Sequence, residues 1–168
     1  MRPGSLRTLI LILLIAAMAV GLYPLLQGLG TAAARESERC LAQAIYFEAR
    51  GEPLEGRLAV AQVVLNRVRD RRYPATICAV VFENDDRRNA CQFSFACDGR
   101  ADRPADPLAW RSARRLAHLA ASGALRDLTG GATHYHAEWV APDWARRLPR
   151  TAKIGRHQFY RNPPNGPR

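Results

Sequence analysis

A helix-dominated α+β domain behind an apolar leader is the fold class this sequence predicts, and three observations predict it. Three segments carry apolar residues at helical spacing, with capping residues at their ends. After Gly130-Gly131 the pattern changes to strict alternation, the period of a strand. The N-terminal apolar residues are set apart from the rest, because no charged residue lies between Leu9 and Ala34. The chain has 168 residues, 48% hydrophobic and 24% charged. That composition excludes a disordered tail, a collagen-like repeat and a multi-domain machine. Residues 35–161 are enough for one hydrophobic core.

Residues 1–34 read as a secretory signal peptide or an N-terminal membrane anchor. Arg2 and Arg7 supply a positive start, Leu9 to Leu26 an apolar run, and Ala32-Ala33-Ala34 a cleavage signal before the charged cluster Arg35-Glu36-Ser37-Glu38-Arg39. The apolar run is long enough for residues 8–30 to anchor the chain in an inner membrane, although Pro24 and the glycines at 21, 28 and 30 weaken a straight spanning helix. Either reading exports the folded part to the periplasm or cell envelope. Export gives Cys40, Cys78, Cys91 and Cys97 a compartment in which disulfides persist. Four cysteines allow three pairings and the sequence does not choose among them; the pairing expected here is Cys91–Cys97 and Cys40–Cys78. No C-x-x-C pair supports a zinc site. The net charge is +10, and all the basic residues but Lys153 are arginine. Such a surface suits a polyanion. Without a helix-turn-helix, finger or aromatic RNA-binding motif, the anionic envelope is expected as the partner and nucleic acid is not.

Glu38 to Arg50 is predicted as the first helix, with Leu41, Ala44, Ile45 and Glu48 on one stripe and Gly51 as the residue that ends it. Pro53 opens a second helix, with Glu55 in its first turn, running to about Asp70 on the stripe Leu54, Leu58, Ala61, Leu65 and Val68. Tyr73-Pro74 breaks the pattern. Ala75 to Phe82 is a short helix or a strand, with helix favoured, and Glu83 to Asn89 a polar loop. Cys91 to Cys97 is a compact loop or hairpin, and Asp98 to Pro104 a connector. Asp106 as N-cap and Pro107 at the first position start a third helix that ends at Gly123. Thr133, Tyr135, Ala137 and Trp139 alternate with His134, His136 and Glu138 as a strand, and Ile154 to Tyr160 is a second one. The Pro-rich tail 162–168 is expected to be flexible.

Glu48 is the informative residue. A carboxylate on the apolar stripe of a helix is costly unless paired, and withdrawing water raises its proton affinity. A glutamic acid that stays protonated near neutral pH is what general-acid catalysis requires. The structural alternative is a buried ion pair with Arg50 or with an arginine of the second helix. Glu52 and Glu55 read most simply as solvent-facing or capping carboxylates at the next helix start, with Glu52 also a candidate substrate contact.

The stretch Cys40 to Val68, with Glu48-Ala-Arg-Gly-Glu52 at its centre, resembles the signature of the cell wall hydrolase family that includes the spore-cortex-lytic (SleB-like) enzymes. So do Tyr73-Pro74, the Cys91-Gln-Phe-Ser-Phe95 segment, Thr133-His-Tyr-His136 and Lys153-Ile-Gly-Arg-His-Gln-Phe159. The resemblance implies a lysozyme-like single domain that cleaves peptidoglycan glycan strands with Glu48 as catalytic acid. It places Ser94 where family members carry Ser or Thr, and Tyr135 where they carry an aromatic. Gln92, Ser94, Tyr135 and His136 are the candidate sugar contacts, with Tyr46 and Trp139 behind them. Phe93, Phe95 and Trp139 read more simply as core.

Hydrolysis by two carboxylates requires a second acid, for which Glu52, Glu83 and Asp98 are the candidates. A lytic transglycosylase needs one, acting first as acid and then as base while a 1,6-anhydro ring closes, and this is the expected mechanism. The alternatives are a hydrolytic muramidase, a zinc amidase or peptidase using His134, His136 and His157 or Asp143, and a non-catalytic peptidoglycan-binding module. No cofactor and no metal are expected, and the chain is expected to be a monomer.

Overall fold

The computed structural model describes residues 10, 12, 13, 18, 31–87, 90–163 and 166. Most of the predicted leader lies outside the described residues. Among the described residues, no helix is long and apolar enough to cross a membrane. The chain divides into two compact units, Met1–Glu36 and Ser37–Arg168, and the second carries the fold. Its elements are residues 37–49 of α1, a helix described over residues 31–49, then α2 (Leu54–Arg69), α3 (Ile77–Val81) and α4 (Pro107–Ala121), followed by β1 (His134–Ala137), β2 (Arg150–Ile154) and β3 (His157–Tyr160). The strands form one antiparallel sheet in the order β1-β3-β2.

α2 is the axis of the domain. On one side Leu58, Ala61 and Val64 join α1, α3 and α4 around Leu41, Ile45, Tyr46, Val80, Val81, Phe93, Phe95 and Leu116. On the other, Ala59 and Val63 pack against Ala132 and Phe159 of the sheet layer. A helix between two layers is apolar on nearly every side. The stripe predicted for it is therefore too narrow: Val60, Val63 and Val64 are fully buried, whereas Leu54, its first residue, is largely exposed.

Local chemistry accounts for the ends of the helices. The Asp106 carboxylate accepts from the N–H groups of Leu108 and Ala109 at 2.9 and 3.1 Å, capping α4 behind Pro107. The Thr76 hydroxyl accepts from Ala79 N–H and caps α3. Pro53 is the residue before α2 rather than its first. Gly51 does not adopt the left-handed backbone expected of it; the turn closes instead through Glu52 N–H to the Ala49 carbonyl, 2.9 Å.

Both expected disulfides are present. Cys40–Cys78 joins α1 to α3, and Cys91–Cys97, at a sequence separation of 6, closes a small ring containing a short 3-10 helix, Ser94–Cys97.

Two strand-region expectations and one about the tail need correction. The run Ile154 to Tyr160 is not one strand, because Gly155, at φ +56°, turns the chain between β2 and β3. Trp139 is 68% exposed, beyond the end of β1, and is no part of the core. The tail is not loose from its first residue: Asn162 is buried, and its amide donates to Tyr73 Oη at 2.9 Å.

Candidate active site

Glu48 lies in the last turn of α1 and is half-buried. Tyr135 on β1 reaches it across 87 residues of sequence, its hydroxyl donating to Glu48 Oε2 at 3.1 Å. Burial raises the proton affinity of Glu48, and this outweighs the hydrogen bond from Tyr135 and the positive charge of Arg67, which both lower it. The same neighbourhood holds the Tyr135 phenol well above its ordinary range, through burial first and the Glu48 charge second. Tyr135 is therefore a neutral donor.

Arg67 is the residue that sequence reasoning named only as an unspecified arginine of the second helix. It is 3% exposed on α2. Its Nε donates to the Thr133 carbonyl at 2.7 Å, and its guanidinium lies over the rings of Tyr73 and Phe93. With its amide oxygen turned toward Arg67, Gln92 accepts from the two terminal nitrogens at 3.1 and 3.3 Å. The signal was legible, because Arg67 continues the fully buried positions Val60, Val63 and Val64 at i+3/i+4 spacing, the same anomaly that marks Glu48. Arg50, the other proposed partner, is exposed and donates to Tyr46 Oη at 3.1 Å.

The Cys91–Cys97 ring is held against the end of α1 by Phe95, which stacks on Phe47 at 4.7 Å. Phe93 and Phe95 are core, as expected, while Ser94 between them is exposed. Gln92, Ser94 and Tyr135 thus come from the elements that meet α1 near Glu48. His136 does not: alternation along β1 turns it to the opposite face, where it stacks on Tyr160 at 5.3 Å and bonds the Tyr160 hydroxyl at 3.0 Å. The same alternation separates the proposed zinc set. His134 and His136 sit with Trp144 on that outer face, and His157 packs edge-on against Tyr135 on the inner one.

Glu52 neither faces solvent nor caps α2. Its side chain is 3% exposed. Oε2 accepts from Arg156 N–H and Oε1 from Arg156 Nε, both at 2.9 Å, and His157 Nδ1 lies 3.8 Å away. Burial works to raise its proton affinity, but the two Arg156 hydrogen bonds and the charges of His157 and Arg156 win and hold it below the ordinary range. Glycine is required at 155 because a side chain there would collide with the Glu52 carboxylate. The residue that sequence reasoning offered as a sugar contact is thus the latch between the α1–α2 turn and the β2–β3 turn.

This latch makes a stability prediction. A carboxyl whose folded pKa is depressed stabilises the fold above its unfolded pKa, and the contribution disappears as pH falls through the folded value. Glu52→Gln is expected to lower unfolding free energy by about 2 kcal/mol at pH 7, because Arg156 is half-exposed and only part of a fully buried pair is lost. Urea titrations at pH 7 and pH 3 should show the gap between variant and parent narrowing in acid.

The profile of the cell wall hydrolase family matches residues 51–160. The chain belongs to the cell wall hydrolase family. The matched span starts three residues past Glu48 and includes Glu52, Arg67, Gln92, Ser94 and Tyr135. Among curated relatives of this chain, the spore cortex-lytic enzyme of Halalkalibacterium halodurans is 36% identical over 120 residues, 71% of this chain and 33% of that protein. The chain therefore spans about a third of the length of that relative. Two solved structures share the fold. The catalytic domain of the Bacillus cereus SleB protein has a TM-score of 0.60 at 32% identity, covering 74% of this chain and 89% of that one. The catalytic domain of the germination-specific lytic transglycosylase SleB from Bacillus anthracis gives 0.60 and 32%, covering 74% and 93%. The helix-dominated, lysozyme-like α+β domain expected from the sequence is thus the fold of this chain.

Proposed function

We propose that this hydrolase cleaves peptidoglycan glycan strands between N-acetylmuramic acid and N-acetylglucosamine as a lytic transglycosylase. The observation that carries the reading is a half-buried Glu48 carboxyl, bonded by Tyr135, whose proton affinity burial raises above the ordinary carboxylate value. Glu48 gives its proton to the glycosidic oxygen as the bond to muramic C1 breaks and its electron pair goes to that oxygen. The carboxylate left behind steadies the positive charge at C1. It then takes the proton of the muramic C6 hydroxyl as that oxygen closes on C1, leaving a 1,6-anhydro end and a restored acid.

Two of the three carboxyls weighed as a second acid are engaged elsewhere, which favours this route over hydrolysis by two. Glu52 is committed to Arg156, and Asp98, on the exposed connector, accepts from Arg100 N–H at 2.8 Å. The printed description of the Bacillus anthracis neighbour as a lytic transglycosylase supports the same choice. Gln92 and Ser94 would line the sugar path beside Glu48. The substrate lies outside the cytoplasm, so residues 1–34 would act as a signal or anchor. Mass spectrometry of digested peptidoglycan tests the reaction, since anhydro ends are lighter by one water than hydrolytic ends. Activity unaffected by a strong chelator is expected, and its loss would favour the zinc amidase.

Tyr135→Phe separates positioning from acidity. Removing the hydroxyl takes away a hydrogen bond that favours the ionised carboxyl, so the pKa of Glu48 rises and the alkaline limb of the pH–rate profile moves to higher pH. The maximal rate should fall roughly tenfold as the carboxyl loses its fixed orientation. A rate loss with no movement of the limb would limit Tyr135 to packing.

A further inference from the structure

Beyond the sugar path, the C-terminal end of α2 borders an open cleft of about 320 Å³. Arg69, Arg72 and Arg161 line it with Asn66, Gly131 and Asn162, and Asp70 and Thr133 complete its wall. Its charge is unbalanced. Asp70 is turned into Arg72, which it holds through Nε and Nη2 at 2.6–3.1 Å. Arg72 also donates to the carbonyls of Pro163 and Gly166. Arg69 has one long contact, 3.3 Å to the Asn66 amide oxygen. Arg161 makes no side-chain hydrogen bond or ion pair among the described residues, and its stem lies against Gly131, whose φ of +78° and missing side chain leave room for it. Among the described residues, neither Arg69 nor Arg161 makes an ion pair, so two arginine heads line one cleft without a carboxylate bonded to them.

We propose that this cleft binds the free carboxylates of a peptidoglycan stem peptide, an inference that rests on the glycan-strand reading above. The lactyl carboxyl of muramic acid is consumed in the amide to the stem, so the negative charge of a substituted strand resides on the peptide. Arginine forks suit carboxylates in a bidentate geometry. The cleft also lies close along the chain to the tyrosine that bonds Glu48. Thr133 on its wall and Tyr135 beneath Glu48 are two residues apart on one face of the chain, about 7 Å along it. An extended four-residue stem spans about 13 Å.

The test uses the Glu48→Gln chain, so that binding is read without turnover. It is titrated with a soluble stem tetrapeptide carrying free carboxylates, with the same peptide amidated, and with inorganic phosphate. The free tetrapeptide is expected to bind more tightly as salt is lowered, and Arg161→Ala or Arg69→Ala to weaken it about tenfold. Amidation should cause a loss of the same order. No binding of the free peptide, equal affinity for both peptides, or indifference to the arginine variants overturns the proposal. Phosphate competing as well as the peptide overturns it in favour of a general anion site. In a second arm, Arg161→Ala in the active chain should raise KM on stem-bearing strands and leave KM on amidase-stripped strands unchanged; equal effects on both overturn it. If the parent chain cleaves neither strand, the glycan-strand reading fails, while the titration still decides the cleft.

Discussion

Glu48→Gln is expected to reduce release of muropeptides from purified peptidoglycan by about a thousandfold, the scale set by removing a positioned general acid. Glutamine keeps the shape of the side chain and an oxygen that can accept from Tyr135, but it has no proton to give and cannot receive one from the C6 hydroxyl. Folding should survive intact. A half-buried carboxyl whose proton affinity burial has raised contributes little to stability, so thermal unfolding of the variant should match the parent or lie slightly above it. Glu48→Asp sharpens the result, because it retains the acid but withdraws it by one methylene from Tyr135 and from the scissile oxygen. Its activity should fall between the two. Chromatography of muropeptides beside a melting curve checks all three chains, and turnover of Glu48→Gln within a few-fold of the parent would remove this carboxyl from the reaction.

The second large effect falls on stability. Cys40–Cys78 closes a loop of 38 residues, and restricting the unfolded chain over that length is worth about 4 kcal/mol in the loop-entropy account. Cys40 belongs to the helical core, 2% exposed, and Cys78 packs against it half-buried. Replacing the pair by alanines should lower the midpoint of thermal unfolding by on the order of 10 °C. Cys91–Cys97 spans only 6 residues, so its removal should cost less stability and more activity, because its ring carries Gln92 and Ser94. Calorimetry and muropeptide release on the two double variants would separate these roles; equal melting points for both would contradict the loop-length account.

The sequence made the helices legible where period and caps agreed, as at Asp106-Pro107, and it marked Glu48 because a carboxyl on an apolar stripe is an anomaly in one dimension. It misjudged α2, since a helix packed on two sides carries no single stripe. The β2–β3 turn was missed because the residues on either side of Gly155 read as ordinary strand formers and linker. His136 was grouped with Tyr135 by proximity in the motif, although adjacent strand residues point to opposite faces. Glu52 looked superficial because its partner, Arg156, is 104 positions away. Long-range pairing of this kind leaves no periodic trace, and the arginine-rich composition offers many equivalent partners.

The wide sequence interval between Glu48 and Tyr135 has a consequence for biosynthesis. While the first helices are emerging from the ribosome, residue 48 is an ordinary solvated carboxylate, ionised at neutral pH and unable to act as an acid. The Tyr135 hydrogen bond and the Arg156–Glu52 latch around it form only when the last third of the chain has been made. On the proposed mechanism, a nascent or prematurely terminated chain therefore lacks the acid that glycan cleavage would need.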